Sequence, residues 1–214
     1  MKHRKDDRAA WLVSTLISEL QAARHKALLI SPYFVPGNEG LDGFSAMAGR
    51  GVQVGVVTNS LAANDVAAVH GGYMGYRVPL LEAGVHVYEL KAQGQSSDAG
   101  VFGSSGASLH TKAFLVDDRR GFVGSFNLDP RSAYLNTEMG VLFDDPVLGA
   151  QLRDEYLRLA DPRHSWWLAL DDRHRLRWLE REPPPHWVEA EPGATARKRW
   201  LSRVISWLPV ESQL

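Results

Sequence analysis

Cysteine is absent from the 214 residues. That excludes disulfides, thiolate metal sites and a cysteine nucleophile, and it is compatible with a reducing cytoplasm. Also absent is any apolar run approaching the ~18 residues that a membrane-spanning helix requires, so any membrane contact is expected to be peripheral. The opening stretch MKHRKDDRAAWLVSTLISEL is charged and then amphipathic. It lacks the apolar core and small-residue cleavage site of a secretory signal, which predicts no export. Excess charge of one sign is missing too: the formal net charge is -1, which argues against a nucleic-acid partner bound through overall basicity. There is no internal repeat.

What is present is a globular composition, 44% hydrophobic and 23% charged, enough for a sizeable core. Apolar positions at Trp11, Leu12, Leu16, Ile17 and Leu20 recur with a helical period and lead into ALLISPYFVPG, a buried strand ended by prolines and glycine. A short helix in GLDGFSAMAGR, a strand in GVQVGVVTNS, a longer helix loosened by Gly71, Gly72 and Pro79, and a strand in VHVYEL follow. Such alternation predicts an α/β/α sandwich around a mixed, largely parallel sheet. The segment KAQGQSSDAGVFGSSGAS has no apolar period and reads as a mobile loop. LHTKAFLVDD and GFVGS then read as two strands joined by a tight turn at DDRRG. TEMGVLF is a further strand, and PVLGAQLRDEYLRLA is an amphipathic helix opened by Pro146.

The first domain is placed at residues 1–160. Residues 161–214 hold six of the seven tryptophans and the proline break REPPPHW, and they are read as a helical Trp-rich tail. In RKRWLSRVISWLP, the apolar Trp200, Leu201, Val204, Ile205 and Leu208 recur at helical spacing beside Arg197, Lys198, Arg199 and Arg203. Two readings are open: an interfacial helix meeting anionic lipid, or a helix docked on its own domain.

The chemistry gathers between His110 and Glu138. Counting gives H-x-K-x4-D-x6-G-S-x-N, from His110 through Lys112, Asp117, Gly124, Ser125 and Asn127. Alternate residues of a strand share a face, so His110 pairs with Lys112, and Ser125 with Asn127. A hairpin can converge an imidazole, an ammonium, a hydroxyl and an amide on one point. Such a set suits a phosphodiester: lysine neutralises nonbridging oxygens, serine and asparagine donate hydrogen bonds, and histidine attacks phosphorus.

This segment resembles the HKD motif of the phospholipase D superfamily. SPYFVPG, TNSLAANDVAAVHGGY, LLEAGVHVYEL, GSFNLDPRSAYLNTE and the terminal WLPVESQL extend the resemblance to the C-terminal half of bacterial cardiolipin synthases, over nearly the full length. The resemblance implies a phosphatidyltransferase or phosphodiesterase acting on phospholipids through a phosphohistidine. It makes His110, Lys112, Asp117 and Glu138 the catalytic set: His110 the nucleophile or its acid/base counterpart, Lys112 a phosphate ligand, and Asp117 a structural member. Glu138, eleven residues past Asn127, takes the place of a carboxylate that orients the imidazole. Ser125 and Asn127 contact the phosphate, His70 and Tyr73 border a lipid pocket, and Arg131 assists an anionic headgroup or pairs with Asp129. No His/Asp/Glu spacing resembles a metal cage, and the family mechanism needs no metal or other cofactor.

The family's sites are built from two HKD hairpins, and this sequence carries one. A homodimer, a separate chain bearing the other hairpin, and a form inactive alone are the alternatives. The implied partners are a phospholipid substrate, an anionic membrane surface and a second HKD hairpin, without nucleic acid. The implied location is cytoplasmic, peripheral at the inner membrane. The rival readings are an endonuclease-type phosphodiesterase, which calls for a basic, aromatic-lined cleft, and a non-enzymatic half-domain.

Overall fold

In the computed structural model, which describes residues 7–92, 109–181 and 184–206, Ala27–Ile30 is buried on both faces, as an interior strand must be. The elements follow in the order α1 (Asp7–Gln21), β1 (Lys26–Ile30), α2 (Gly37–Gly49), β2 (Gln53–Asn59), α3 (Ala67–Met74), α4 (Arg77–Glu82), β3 (His86–Leu90), β4 (Lys112–Val116) and β5 (Arg120–Gly124). They continue with α5 (Pro130–Tyr134), β6 (Gly140–Asp144), α6 (Pro146–Ala160), β7 (Ser165–Leu170), β8 (Leu176–Glu180), β9 (His186–Val188) and α7 (Ala196–Ile205). Among the described residues the nine strands form one sheet, ordered β6-β5-β4-β1-β2-β3-β7-β8-β9.

Alternation along β1 divides the core. Ala27 and Leu29 face one side, with Leu16 and Leu20 of α1, Phe44 and Met47 of α2, Tyr73 of α3 and Leu80 of α4. Leu28 and Ile30 face the other, with Tyr156, Leu159 and Ala160 of α6. The α/β/α layering is therefore as expected. The sheet is mixed, but it is not largely parallel: β1, β2 and β3 run parallel, and every other pairing is antiparallel. Short turns join β4 to β5 and β7 to β8, and a short turn can join only antiparallel neighbours.

The longer helix expected after β2 is split, and not where its glycines suggest. α3 runs through Gly71 and Gly72, and Gly71 serves packing instead: a Cβ there would lie 2.8 Å from Ile205 of α7. The break falls at Gly75–Tyr76, and Pro79 sits in the first turn of α4, where its missing N–H costs nothing. The segment expected to be a mobile loop lies, from residue 93 to 108, outside the described residues.

The reading of residues 161–214 as helical is corrected. Three strands, β7 to β9, extend the sheet from β3, and one helix follows. SWWLAL and LRWLE carry aromatic and branched residues that pair well on a pleated surface, and they cover what would otherwise be an exposed β3 edge. The tryptophans are bound into this extension. Trp166 lies under the Lys91 ammonium at 4.6 Å, Trp167 donates to Ala160 O at 2.7 Å, and Trp178 donates to Glu89 Oε2 at 2.8 Å. α7 docks on α3. Lys198 Nζ donates to the carbonyls of Ala62 and Asn64 at 3.2 and 3.1 Å, while Trp200 stays 68% exposed.

A buried ionic network ties these parts together. Arg77 Nη1 donates to Glu191 Oε1, and Nη2 lies 2.8 Å from Glu89 Oε1 and donates to His70 Nε2 at 2.6 Å. The guanidinium also stacks over the Tyr73 ring at 4.7 Å. Because Arg77 can only donate, Nε2 of His70 is an acceptor and the ring is neutral. Burial and the neighbouring cation hold its pKa down to about 4. Two carboxylates share one cation, so they divide: burial and Glu191 push Glu89 up, while the Arg77 guanidinium overcomes burial and holds Glu191 down. Replacing Arg77 by methionine leaves both acids buried and unpaired, at a cost of about 3–5 kcal/mol. Urea denaturation is expected to show that loss growing from pH 5 to pH 8. A carboxyl with a raised folded pKa keeps its stabilisation below its ordinary value of 4.5 and loses it as the pH rises through the folded one.

Candidate functional site

Antiparallel pairing of β4 with β1 sets Ala113 opposite Ile30 and Val116 opposite Ala27. The N-terminal end of β4, where the motif begins, thus lies at the C-terminal edge of the three parallel strands. Open α/β sheets place ligands at this edge. There β1 leaves the ladder, with Ser31 N–H making a last bond to Val57 O at 3.0 Å. The side chain of Asn59, at the end of β2, takes over as a strand partner. Its Oδ1 accepts from Leu109 N–H at 3.1 Å and its Nδ2 donates to Leu109 O at 3.5 Å. Leu109 is therefore fixed on both backbone groups, and the next residue, His110, emerges exposed at the rim.

Lys112 is buried, and its Nζ donates to His110 O at 2.8 Å. An ammonium has three donors, so one bond leaves capacity for an anion. Burial lowers its pKa, and the carboxylates of Glu138 and Asp129 work against that shift. Lys112, Glu138 and Asp129 thus share one electrostatic site. Asn127 is also buried, and its Oδ1 has no hydrogen-bond partner. The amide is uncommitted to the protein and can turn its donor to a phosphate oxygen. Ser125 hydrogen-bonds Glu138 Oε2 and accepts from Met139 N–H at 3.0 Å. Glu138 Oε1 accepts from Asn136 Nδ2 at 3.2 Å. Among the described residues Glu138 makes no hydrogen bond to His110; it holds Ser125 and acts on Lys112.

Four other predicted residues stand apart. Asp117 follows β4 at the opposite edge of the sheet, about 23 Å from His110 at ~3.3 Å per strand residue. It adopts φ 51° in the hairpin turn and accepts from the N–H groups of Arg24, His25 and Lys26 at 3.0, 2.8 and 2.9 Å. Burial opposes its ionisation, but these donors hold its pKa below the ordinary value. It is an architectural carboxylate, and grouping it with catalytic residues is corrected on that ground. His70 and Tyr73 are likewise corrected: both are enclosed under α3 in the Arg77 network and offer no lipid-facing surface. Arg131 lies exposed on α5 and makes no ion pair with Asp129.

The motif does not contain Asp129, Asn59 or Tyr33. Asp129 caps α5 by accepting from Ser132 N–H at 2.7 Å, and burial raises its pKa, with Glu138 adding to the shift. Its D-P step was a readable helix start. Tyr33 donates to Asp65 Oδ1 at 2.8 Å. Burial, Asp65 and Asp129 push its pKa up to about 12. Nothing local distinguishes Asn59 from a strand-end turn residue.

This arrangement of sheet and hairpin recurs in solved phospholipase D-like proteins. NucT from Helicobacter pylori superposes with a TM-score of 0.57 at 19% identity, covering 75% of this chain and 93% of that one. Phosphatidylserine synthase from Haemophilus influenzae Rd KW20 superposes with a TM-score of 0.56 at 20% identity, covering 73% and 37%. At these identities the likeness is one of fold. The chain belongs to the family described as cardiolipin synthase, phospholipase D-like domain, whose model matches residues 16–160. Cardiolipin synthase C of Escherichia coli (strain K12) is 41% identical over 212 residues, spanning 97% of this chain and 45% of that protein. The chain thus spans about half the length of this relative.

Replacing Asp117 by asparagine is expected to cost on the order of 1–2 kcal/mol at pH 7, because ionised acceptors make the stronger bonds and this one is partly solvated. The difference from wild type, followed by thermal melting, narrows as the pH falls below the ordinary aspartate value of 3.8. A carboxylate with a depressed folded pKa loses its stabilisation on that side.

Proposed function

We propose that this chain supplies one HKD half-site of a cardiolipin synthase-type phosphatidyltransferase. The observation that carries the reading is buried Lys112 bonded to the backbone of exposed His110 at the edge where α/β sheets bind ligands, with the uncommitted amide of Asn127 three residues past Gly124, the strand partner of Lys112. His110 attacks the phosphorus of a phospholipid, forming an N–P bond as the P–O bond to the leaving alcohol breaks. That alcohol takes a proton from a general acid. A second alcohol, or water, then attacks the phosphohistidine, gives up its proton and releases the histidine. Dividing the displacement into two steps is the gain of covalent catalysis. Lys112 and Asn127 neutralise and orient the nonbridging oxygens.

The general acid is assigned to a second HKD hairpin, from another copy of this chain or from a separate chain. One feature supports this. Beside Ser125, Val123 faces Val141 across β5 and β6, and Val141 and Met139 are 66% and 77% exposed. Such a patch at a site's rim suits a protein partner. The side chains acting on Lys112 are carboxylates, which does not favour a polyanionic nucleic acid over a lipid.

α7 is docked on α3, yet Trp200 and Leu201 are exposed, as are Arg197 and Arg203. We assign this outer face to an anionic membrane surface, with the protein peripheral at the cytoplasmic side of the inner membrane. No helix among the described residues is long and apolar enough to cross a membrane.

Solution mass and phosphatidyl transfer on phosphatidylglycerol vesicles, measured for wild type and His110→Ala, test the reading. A dimer whose activity falls by about three orders of magnitude or more in the variant is the expected result. An inactive monomer moves the second hairpin to another chain. Activity on DNA but not on vesicles overturns the lipid assignment.

A further inference from the structure

A groove of about 500 Å³ lies between α1, α2 and α5, on the helix face that carries α1. This is the size range of small-molecule sites. Its apolar walls include Val13 and Ile17 of α1, Phe44 and Met47 of α2, and Phe126 and Leu128 of the segment before α5. Ile17 and Tyr134, both lining residues, are 42% and 73% exposed and mark its mouth. Nothing in the site chemistry described above uses this space.

Two observations identify the occupant. The first is continuity with the site. Asp129 lines the groove, and its carboxylate acts on Lys112. Beneath the floor a small void of about 20 Å³ shares Ile17, Leu20, Phe126 and Leu128 with the groove and reaches Ala113, the residue after Lys112. The second is charge. The acidic side chains among the described lining residues are Glu39 and Asp129, with no lysine, arginine or histidine to oppose them. A phosphate is therefore repelled from the groove and drawn to Lys112, whereas an uncharged hydrocarbon gains from leaving water. We infer that the groove holds one acyl chain of the phospholipid whose phosphodiester is presented to His110 and Lys112. This rests on the lipid reading proposed above and adds the place where the chain lies.

Gly43 offers a direct probe. It lines the groove on α2, and a Cβ there would meet only the flexible Gln21 Nε2, at 3.1 Å. Gly43→Leu therefore fills the groove while favouring the helix. Ala133→Leu fills it from α5 and serves if the first variant does not fold, as judged by its melting curve. The full chain is mixed with phosphatidylglycerol vesicles carrying a photoactivatable diazirine on one acyl chain, irradiated and mapped by peptide mass spectrometry. Adducts on the α1 and α5 peptides are expected, reduced about tenfold in a folded filling variant, the equivalent of about two methylene groups kept out. Adducts confined to α7 or β6, or groove adducts unchanged by filling, overturn the groove and leave the lipid reading standing. No lipid adduct anywhere, together with labelling of the HKD hairpin by a diazirine-bearing DNA oligonucleotide, overturns both.

Discussion

The antiparallel insertion of β4 beside β1 is the constraint on which the candidate site depends. It carries the first residues of the motif to the C-terminal edge of the parallel strands, and it is fixed at both ends. At the far end the Asp117 carboxylate gathers the N–H groups leading into β1. At the near end the Asn59 amide stands in for the departing β1 strand and holds Leu109. A one-residue slip would reverse every side chain of β4 across the sheet, taking Lys112 away from Glu138 and Asp129. Two polar side chains outside the reacting groups thus set the register that makes those groups converge.

A second set of charges holds the C-terminal third in place. Arg77 joins α4 to Glu89 of β3 and to Glu191, in the connection before α7, with His70 as a neutral acceptor. Such a network contributes specificity more readily than net stability, since each buried ion gives up its hydration. Here it places the connection so that α7 packs on α3 at Gly71. The outer face of α7, with Trp200 and Arg203, is left toward solvent. The two readings of this helix, docked or interfacial, are thus compatible: one face meets the domain and the other is available to a membrane.

The same region shows where local sequence was legible and where it misled. The helical period of α1, α2 and α6, the apolar runs of β1 and β2, and the DDRRG turn were readable because each is encoded by neighbouring residues. SWWLAL and LRWLE fall in a stretch whose tryptophan-rich, proline-broken composition reads as a helical tail, yet in the fold they extend the sheet from the β3 edge as strands. His70 and Tyr73 illustrate the same limit. On a helix beside family-like residues they look available to a ligand, and burial by Arg77 of the next helix, with Glu89 and Glu191 further along the chain, makes them part of the core.

By itself the sequence determined the chemical inventory of the site and the hairpin that carries most of it. Motif spacing, strand alternation and turn residues are local quantities, and His110, Lys112, Ser125, Asn127 and Glu138 lie within one short segment. Tertiary structure alone decided which polar residues serve that hairpin. Asn59 reaches it from β2, and Asp129 joins it as a helix cap beside Lys112. Asp117 is drawn to the opposite edge as an anchor, and the groove between α1, α2 and α5 opens beside the site. Burial and electrostatic coupling depend on distance in space, and the residues that impose them here are separated by tens of positions in the chain.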